Sequence, residues 1–325
     1  VVLATLAALG VGAWAVMIRM PGKRLAGPLA PPSERERALR DELRGDVEKL
    51  AGEIGERNSR RPRELALAAD HIEAVLRSAG HAPRRLGFEA GGLRFDNVEA
   101  EIPGGGRAAE VVVIGAHYDS VAFCPGANDN GTGVAALLAL ARALGGSRPE
   151  RTLRFVAFAN EEPPHFQTDA MGSLVYAREL AARGHQVVAM LSLETLGHYD
   201  DAPGSQAYPF PFSAFYPDRG DFLAVVGNVA SRALVREVVA ILRERSSLPT
   251  EGAAPPGVVP GVGWSDHWSF WQEGYPAVML TDTAPFRYPH YHTAADTADK
   301  VDYDRLARAV AGIEHVVRAL ARVAP

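Results

Sequence analysis

A single cysteine, Cys124, stands among 325 residues, so no intrachain disulfide can form and the fold must rest on packing, on a metal, or on both. No cysteine-protease signature surrounds it, and it reads as a passive loop position. Lysine is almost missing, at positions 23, 49 and 300 only, and arginine supplies the rest of the 34 basic side chains, a usage associated with GC-rich bacterial genomes. A charge excess of either sign is lacking too. The net charge is −5, and no basic run interleaves with aromatics, which argues against nucleic-acid partners. The chain has no internal repeat, no G-x-G-x-x-G and no Walker sequence, which removes solenoids and the glycine-rich phosphate cradles. What is present is ordinary for a globular enzyme: 47% hydrophobic and 22% charged residues, enough for a large core.

One long uncharged stretch exists, Val1–Ile18. At 1.5 Å per residue it spans most of a ~30 Å hydrocarbon layer, so a membrane anchor over residues 1–20 is expected. A cleaved signal segment with Ala13-Trp14-Ala15 as its small-x-small site is the competing reading. Without an initiator Met the Lys/Arg rule for orientation cannot be applied. The anchor implies membrane association with an extracytoplasmic catalytic domain, in the bacterial periplasm or at the cell surface, or secretion if the segment is cut. A Pro/Gly-rich linker follows over 21–33, and the folded domain is expected over 34–325.

From Glu34 onward apolar residues recur at helical spacing (Leu39, Leu43, Val47, Leu50, Ile54), and a second helical run covers Glu64–Ser78. Short apolar runs then alternate with helical ones. Strands are expected at Val111–Ile114, Leu153–Ala159, Val187–Leu193, Phe222–Val226 and Ala277–Leu280. Helices are expected over Gly131–Leu144, Met171–Arg183, Ser231–Arg245 and Tyr303–Val323. That alternation predicts an α/β fold, a three-layer α/β/α sandwich with a mostly parallel central mixed sheet, whose ligands gather beyond the carboxyl ends of the strands.

The chemistry-bearing residues sit at those ends. His117 and Asp119 leave the strand Val111–Ile114 in Ala116-His117-Tyr118-Asp119-Ser120, where His117 suits a metal and Asp119 can accept its other ring N–H. Asp129 lies in Gly126-Ala127-Asn128-Asp129-Asn130-Gly131-Thr132-Gly133, a helix start in which capping is the plainer role. Asn160-Glu161-Glu162-Pro163-Pro164 follows Leu153–Ala159. The prolines stop a helix and stiffen the turn, so adjacent carboxylates can aim at one centre, one binding metal and one free to take a proton. Glu194 ends an apolar strand, where an unpaired buried carboxylate is costly. His292 lies in Tyr291-His292-Thr293, with His290 as a competitor. Two histidines and three acids form the nitrogen-plus-oxygen set expected of zinc.

In this order the motifs resemble the zinc aminopeptidases of the M28 family, the aminopeptidase Y and glutamate carboxypeptidase-like peptidases. AHYDS, GANDNGTG, NEE, the acid before Leu196-Gly197, SDH at Ser265–His267 and YHT carry the likeness, which runs from about Glu34 to the C-terminus. The resemblance implies two Zn2+ ions: His117 and Glu194 on one, Glu162 and His292 on the other, Asp129 bridging. It makes Glu161 the general base and peptides or aminoacyl compounds the substrates. The family more often has Asp where Glu194 stands. Asp266 and His267 match a cleft loop, with loop support as the alternative. The aromatic loop Tyr208–Tyr216 and Trp264, Trp268 and Trp271 are candidates for a side-chain pocket. Two rivals stand beside this reading: a single-zinc glutaminyl cyclase on the same fold, and an inactive ectodomain that binds without catalysis.

Overall fold

The five apolar runs of the sequence lie side by side in the computed structural model, which describes residues 12 and 14–324. The strands are β1 (Arg84–Ala90), β2 (Leu93–Ile102), β3 (Arg107–His117), β4 (Arg151–Phe158), β5 (Gln186–Glu194), β6 (Leu223–Gly227), β7 (Thr250–Ala253) and β8 (Ala277–Thr281). They form one sheet in the order β1-β2-β4-β3-β5-β8-β6-β7. β3 pairs in parallel with β4 and β5, as do β5 with β8 and β6 with β7, while β1/β2, β2/β4 and β6/β8 are antiparallel. This is the expected mostly parallel mixed sheet.

The helices are α1 (Glu34–Val47), α2 (Pro62–Ser78), α3 (Gly133–Leu144), α4 (Gly172–Ala182), α5 (Arg232–Arg245), α6 (His267–Gln272) and α7 (Tyr303–Ala321). Side chains alternate across each strand, so the two faces acquire separate cores. Val112, Ile114, Leu191, Val225 and Leu280 point to one face and pack with α1, α2, α3, α5 and α7; Val111, Val113, Val156, Met190 and Ala277 point to the other and pack with α4 and α6. The second face has fewer helices, which matters for the pocket below.

The sequence reading did not include β1, β2, β7 or α6. The β1–β2 hairpin is charged on its outer face, and its signal is the Gly91-Gly92 pair between Ala90 and Leu93. Both glycines have positive φ (58° and 77°), the conformation a tight two-residue hairpin turn demands. β7 is too short, at four residues, to stand out. The start of the domain was better marked: Ser33 and Glu36 cap α1 reciprocally, Glu36 N–H donating to Ser33 Oγ (3.2 Å) and Ser33 N–H to the Glu36 carboxylate (2.7 Å).

Most of Val1–Ile18 lies outside the described residues; among those described, no helix is long and apolar enough to cross a membrane. The segment expected as a linker is laid against the domain. Ala254 N–H donates to Met17 O (2.8 Å), Arg243 donates to Pro21 O (3.1 Å), Arg24 pairs with Asp221 and Glu251, and Met20 packs on the core.

α1 and α3 are tied by a fork in which both Arg142 amino groups donate to Asp46 (2.7 and 3.0 Å), with His71 Nε2 at 3.7 Å. Burial works against the Asp46 charge, but these partners outweigh it and hold its carboxyl below the ordinary value. A depressed folded pKa gives stability that is present above the unfolded value near 3.9 and is lost as pH falls through the folded one. Asp46→Asn is therefore expected to cost about 1–3 kcal/mol at neutral pH and to narrow the gap to wild type below pH 4. Urea unfolding at pH 7 and pH 3 checks this, and an equal gap at both would contradict it.

Candidate active site

The neighbouring parallel strands β4, β3 and β5 end at one edge of the sheet and deliver His117, the Asn160–Glu162 turn and Glu194 together. His117 and Glu194 lie on the face that carries Val113 and Met190, by the two-residue alternation. His117 Nε2 is 3.2 Å from Glu194 Oε2, 3.4 Å from Asp129 Oδ1 and 3.9 Å from Glu161 Oε2. His292 Nε2 is 3.0 Å from Asp129 Oδ2 and 3.4 Å from Glu162 Oε2. Asp129, Glu161, Glu162, Glu194 and His292 thus line one cleft, with His117 buried against three of these acids and Asp119 behind it. His290 faces the Tyr288 ring instead.

Each side chain is held by a second layer. The Asp119 carboxylate accepts the backbone N–H groups of Glu161 (3.1 Å) and Glu162 (3.0 Å), and its Oδ1 lies 3.5 Å from His117 Nδ1. One carboxylate therefore fixes both the histidine and the paired-acid turn. Asp296 does the same for the Asp129 loop, accepting the N–H groups of Asn128 (2.8 Å) and Asp129 (3.0 Å) and the Tyr288 hydroxyl (2.8 Å). Asn130 clasps β5, its Nδ2 donating to Leu193 O (2.9 Å) and its Oδ1 accepting from Thr195 N–H (3.0 Å). Gly133 is needed at this junction, because a Cβ there would lie 2.3 Å from Leu193 O. Asp129 thus sits in a loop built for more than helix capping.

The backbone is strained where it aims these groups. Asn160, Thr195 and His292 have φ of 61°, 40° and 56°, uncommon for residues other than glycine, and Thr195 is β-branched. Such strain persists when surrounding contacts over-determine the conformation.

Three residues to which the sequence assigns no individual role support the site. Ser265 Oγ donates to Glu194 Oε2 (2.7 Å) and contacts Ser192 Oγ (2.8 Å), steadying the longer acid; the SDH motif was its signal. Asp282 accepts from Asn128 Nδ2 (2.9 Å) and His198 N–H (2.7 Å). Arg57, fully buried, donates to Tyr118 O (2.7 Å), Pro125 O (2.5 Å) and Gly126 O (2.9 Å), bracing the loop between His117 and Asp129. No motif marks Arg57 from sequence. His267 bonds Val262 O (2.8 Å) against Trp271, and burial lowers its pKa to about 4, so it is a support of the loop. Cys124 is buried, its thiol pushed up to about 12, which fits the passive reading.

Electrostatics set the site apart. Burial pushes Glu161 well above the usual carboxylate range, with Glu194, Glu162 and Asp266 adding to the effect, and it lifts Glu162 and Asp266 to about 7. Burial opposes charge on both histidines, yet the carboxylates prevail: His117 is raised well above its ordinary value and His292 to about 10. Two donor sets, His117–Asp129–Glu194 and Asp129–Glu162–His292, each keep their ligand atoms within 4.8 Å of one another and share Asp129. Among the described residues Glu162 Oε1 has no hydrogen-bond partner. An acidic, buried, incompletely partnered set of this composition fits divalent cations, and its N/O chemistry fits zinc.

This α/β fold with an acid- and histidine-lined cleft at its strand ends is that of a hydrolase class, and the comparisons place it. Residues 97–317 match the model of Peptidase family M28, and the chain belongs to that family. It is 39% identical over 293 residues to the uncharacterized protein YfbL of Escherichia coli (strain K12), covering 87% of this chain and 89% of that one. It is 27% identical to a probable leucine aminopeptidase 1 of Trichophyton verrucosum, over 73% of this chain and 61% of the fungal one, so it spans about three fifths of that relative. Among solved structures the fold is similar to the zinc aminopeptidase BSAP of Bacillus subtilis (TM-score 0.70, 15% identity, 87% and 95% covered). It is also similar to a glutaminyl cyclase of Fimbriiglobus ruber (TM-score 0.63, 21% identity, 91% and 98% covered).

Replacing Arg57 by Met would remove the side-chain donor of five main-chain carbonyls; those of Leu50 and Gly126 keep a backbone N–H, while those of Gly55, Tyr118 and Pro125 lose a partner at a cost of about 1–3 kcal/mol each. A loss of at least about 3 kcal/mol is expected in urea unfolding; a change within 0.5 kcal/mol, the usual range of about ±0.5 for surface sites, would remove Arg57 from the scaffold.

Proposed function

We propose that the chain is a metal-dependent aminopeptidase with two zinc ions, one held by His117, Asp129 and Glu194 and the other by Asp129, Glu162 and His292. The observation that carries this is the pair of three-donor sets joined at Asp129 with Glu161 left over beside them. Bound zinc would polarise the scissile carbonyl and favour loss of a proton from the attacking water.

Glu161 has the geometry and acidity of the proton carrier. It lines the same cleft as both donor sets, and its raised pKa matches a group that must take a proton near neutral pH and give it up again. In the proposed cycle its carboxylate accepts the proton of the attacking water and then delivers it to the leaving amine nitrogen. Asp119 positions the reaction by fixing the Glu161–Glu162 backbone and the His117 ring. The cleft acids also provide partners for a substrate α-ammonium group. The first donor set, with His117 and Glu194 3.2 Å apart, favours this reading over a single-zinc cyclase, and the intact base and ligands favour it over an inactive binding ectodomain. With the expected N-terminal anchor, the enzyme would work at the outer face of a membrane.

Glu161→Gln is expected to retain two equivalents of zinc by elemental analysis and to lose turnover of a leucyl 4-nitroanilide by at least ~10²–10⁴-fold. Near-normal turnover would remove Glu161 from its role, and release of ammonia from a glutaminyl peptide without hydrolysis of the anilide would favour the cyclase. Neighbouring carboxylates raise His117 and lift His292 to about 10, so zinc uptake by these rings is expected to displace protons. Titration calorimetry at pH 7 in buffers of different ionisation heats should register that release. Identical heats in all buffers would count against these two histidines as ligands.

A further inference from the structure

The segment expected as a linker is fastened to the domain just where the uncharged run Val1–Ile18 ends. Arg232, Arg236 and Arg243 lie along one stripe of α5. Arg232 Nε donates to Val16 O (2.8 Å), Arg236 to Arg19 O, and Arg243 Nη1 to Pro21 O (3.1 Å). Met20 lies over β7, where a Cβ on Gly252 would come within 3.1 Å of its Cγ, and Arg24 Nε reaches Glu251 (2.9 Å). With the bond from Ala254 N–H to Met17 O (2.8 Å), these contacts hold the strap Val16–Arg24 against α5 and β7 along its length.

That attachment lies beside the opening of a pocket. Glu194, Trp264 and Tyr291 border the acidic cleft and also this second pocket, of about 830 Å³ counted with the solvent at its opening. Two loops contribute to its walls, 208–216 through Pro209 and Phe212 and 255–264 through Pro255 and Val259. Each carries an apolar side chain out into solvent, Phe210 at 94% exposure and Val258 at 91%. Single exposed apolar residues are ordinary, but these two have company. Phe215 is exposed on the first loop, and Trp14 and Val16 are exposed at the start of the strap. Both loops also meet the strap's footing on β7: the Tyr216 hydroxyl donates to Gly252 O (2.8 Å), and the second loop starts directly after Ala254.

Chain reach limits how far this face can stand from a membrane. Trp14 is three residues from Met17 and Val258 four from Ala254, so at most about 11 and 14 Å of chain separate the bonded pair from either tip. The headgroup region on each side of the hydrocarbon core is itself about 5–8 Å thick. Arg19 and Lys23, exposed on the strap, place positive charge at the same level, which suits anionic headgroups.

We infer that the face formed by Trp14, Val16, Phe210, Phe215 and Val258 rests in the headgroup layer of a lipid bilayer, so that the pocket and the acidic cleft open at the membrane surface. The inference rests on the expected membrane anchor within Val1–Ile18 and is independent of the aminopeptidase reading.

Full-length protein would be labelled with the fluorophore NBD at one introduced cysteine, Phe210→Cys or Val258→Cys. Leu93→Cys serves as control, since Leu93 is exposed in the β1–β2 hairpin at the opposite edge of the sheet. Cys124, buried with its thiol pushed up to about 12, stays unlabelled. Each protein is combined with vesicles of phosphatidylcholine and phosphatidylglycerol, with plain or brominated acyl chains. Apolar side chains at this level sit about 5–10 Å into the headgroup boundary, so brominated vesicles should remove roughly half or more of the emission from positions 210 and 258 and leave position 93 unchanged. Protein that floats with the vesicles while 210 and 258 are quenched no more than 93 would overturn the inference and leave the anchor standing. Quenching at 210 and 258 in protein that does not float would sustain the surface and sink the anchor; with neither, both fall. A blue shift at position 258 that grows with protein concentration in the absence of vesicles would identify a second copy of the chain as the occupant and overturn the inference.

Discussion

Repulsion among buried carboxylates is the constraint around which this protein is built. Asp119, Asp129, Glu161, Glu162, Glu194 and Asp266 are all buried at one end of the sheet, with two imidazoles between several of them. A pair of like charges 4 Å apart costs about 4 kcal/mol at an effective dielectric near 20. The same crowding raises the pKa values of His117 and His292, which their carboxylate neighbours favour in the charged form, and of Glu161 and Glu162, whose charge burial and neighbouring acids oppose. Divalent cations would meet that cost more completely, and of the acids outside both donor sets, Asp119, Glu161 and Asp266, it is Glu161 that lines the cleft and would be free to exchange a proton.

Such a set can be assembled only if the polypeptide around it resists spreading. Asp119 accepts two N–H groups from one turn, Asp296 two from another, Asn130 joins the loop to β5 from both sides of its amide, and Arg57 gathers carbonyls from the intervening segment. These are directed hydrogen bonds from buried groups, and breaking one strands its partner away from water. The left-handed backbone at Asn160, Thr195 and His292 is the conformational cost of aiming each group inward.

The legible part of this arrangement was the part tied to strand ends. Apolar runs such as Val187–Leu193 reveal a buried strand, and an acid placed where such a run stops has few harmless explanations, so Glu194 and the Glu161-Glu162 turn stood out. Strands β1 and β2 did not, because a hairpin at a sheet edge wears charges on its outer face and only Gly91-Gly92 marks its turn. Arg57 was invisible for another reason: its partners are all main-chain carbonyls, three of them more than sixty residues away, and carbonyls leave no trace in residue identity. Asn128 and Asn130 were visible as letters, yet their role in clasping β5 emerges only when the loop and strand are seen together.

The same alternation that sends His117 and Glu194 to one face sends Met279, Thr281, Ala224 and Val226 there too. Over β3, β4, β5 and the start of β8 that face is closed by α4 and α6, and its residues become core; over the end of β8 and β6 Met279, Thr281, Ala224 and Val226 line a pocket. Core and pocket are therefore one apolar surface, divided only by where the helices stop. Because Glu194 and Thr281 are register partners on adjacent strands, the acidic cleft and this pocket share one sheet. A substrate's apolar group seated on β8 and β6 would fix the position of its carbonyl relative to Glu161 without any intervening loop. In the proposed aminopeptidase, binding energy gathered in that pocket would hold the scissile bond in place, linking substrate selection to the orientation that catalysis requires.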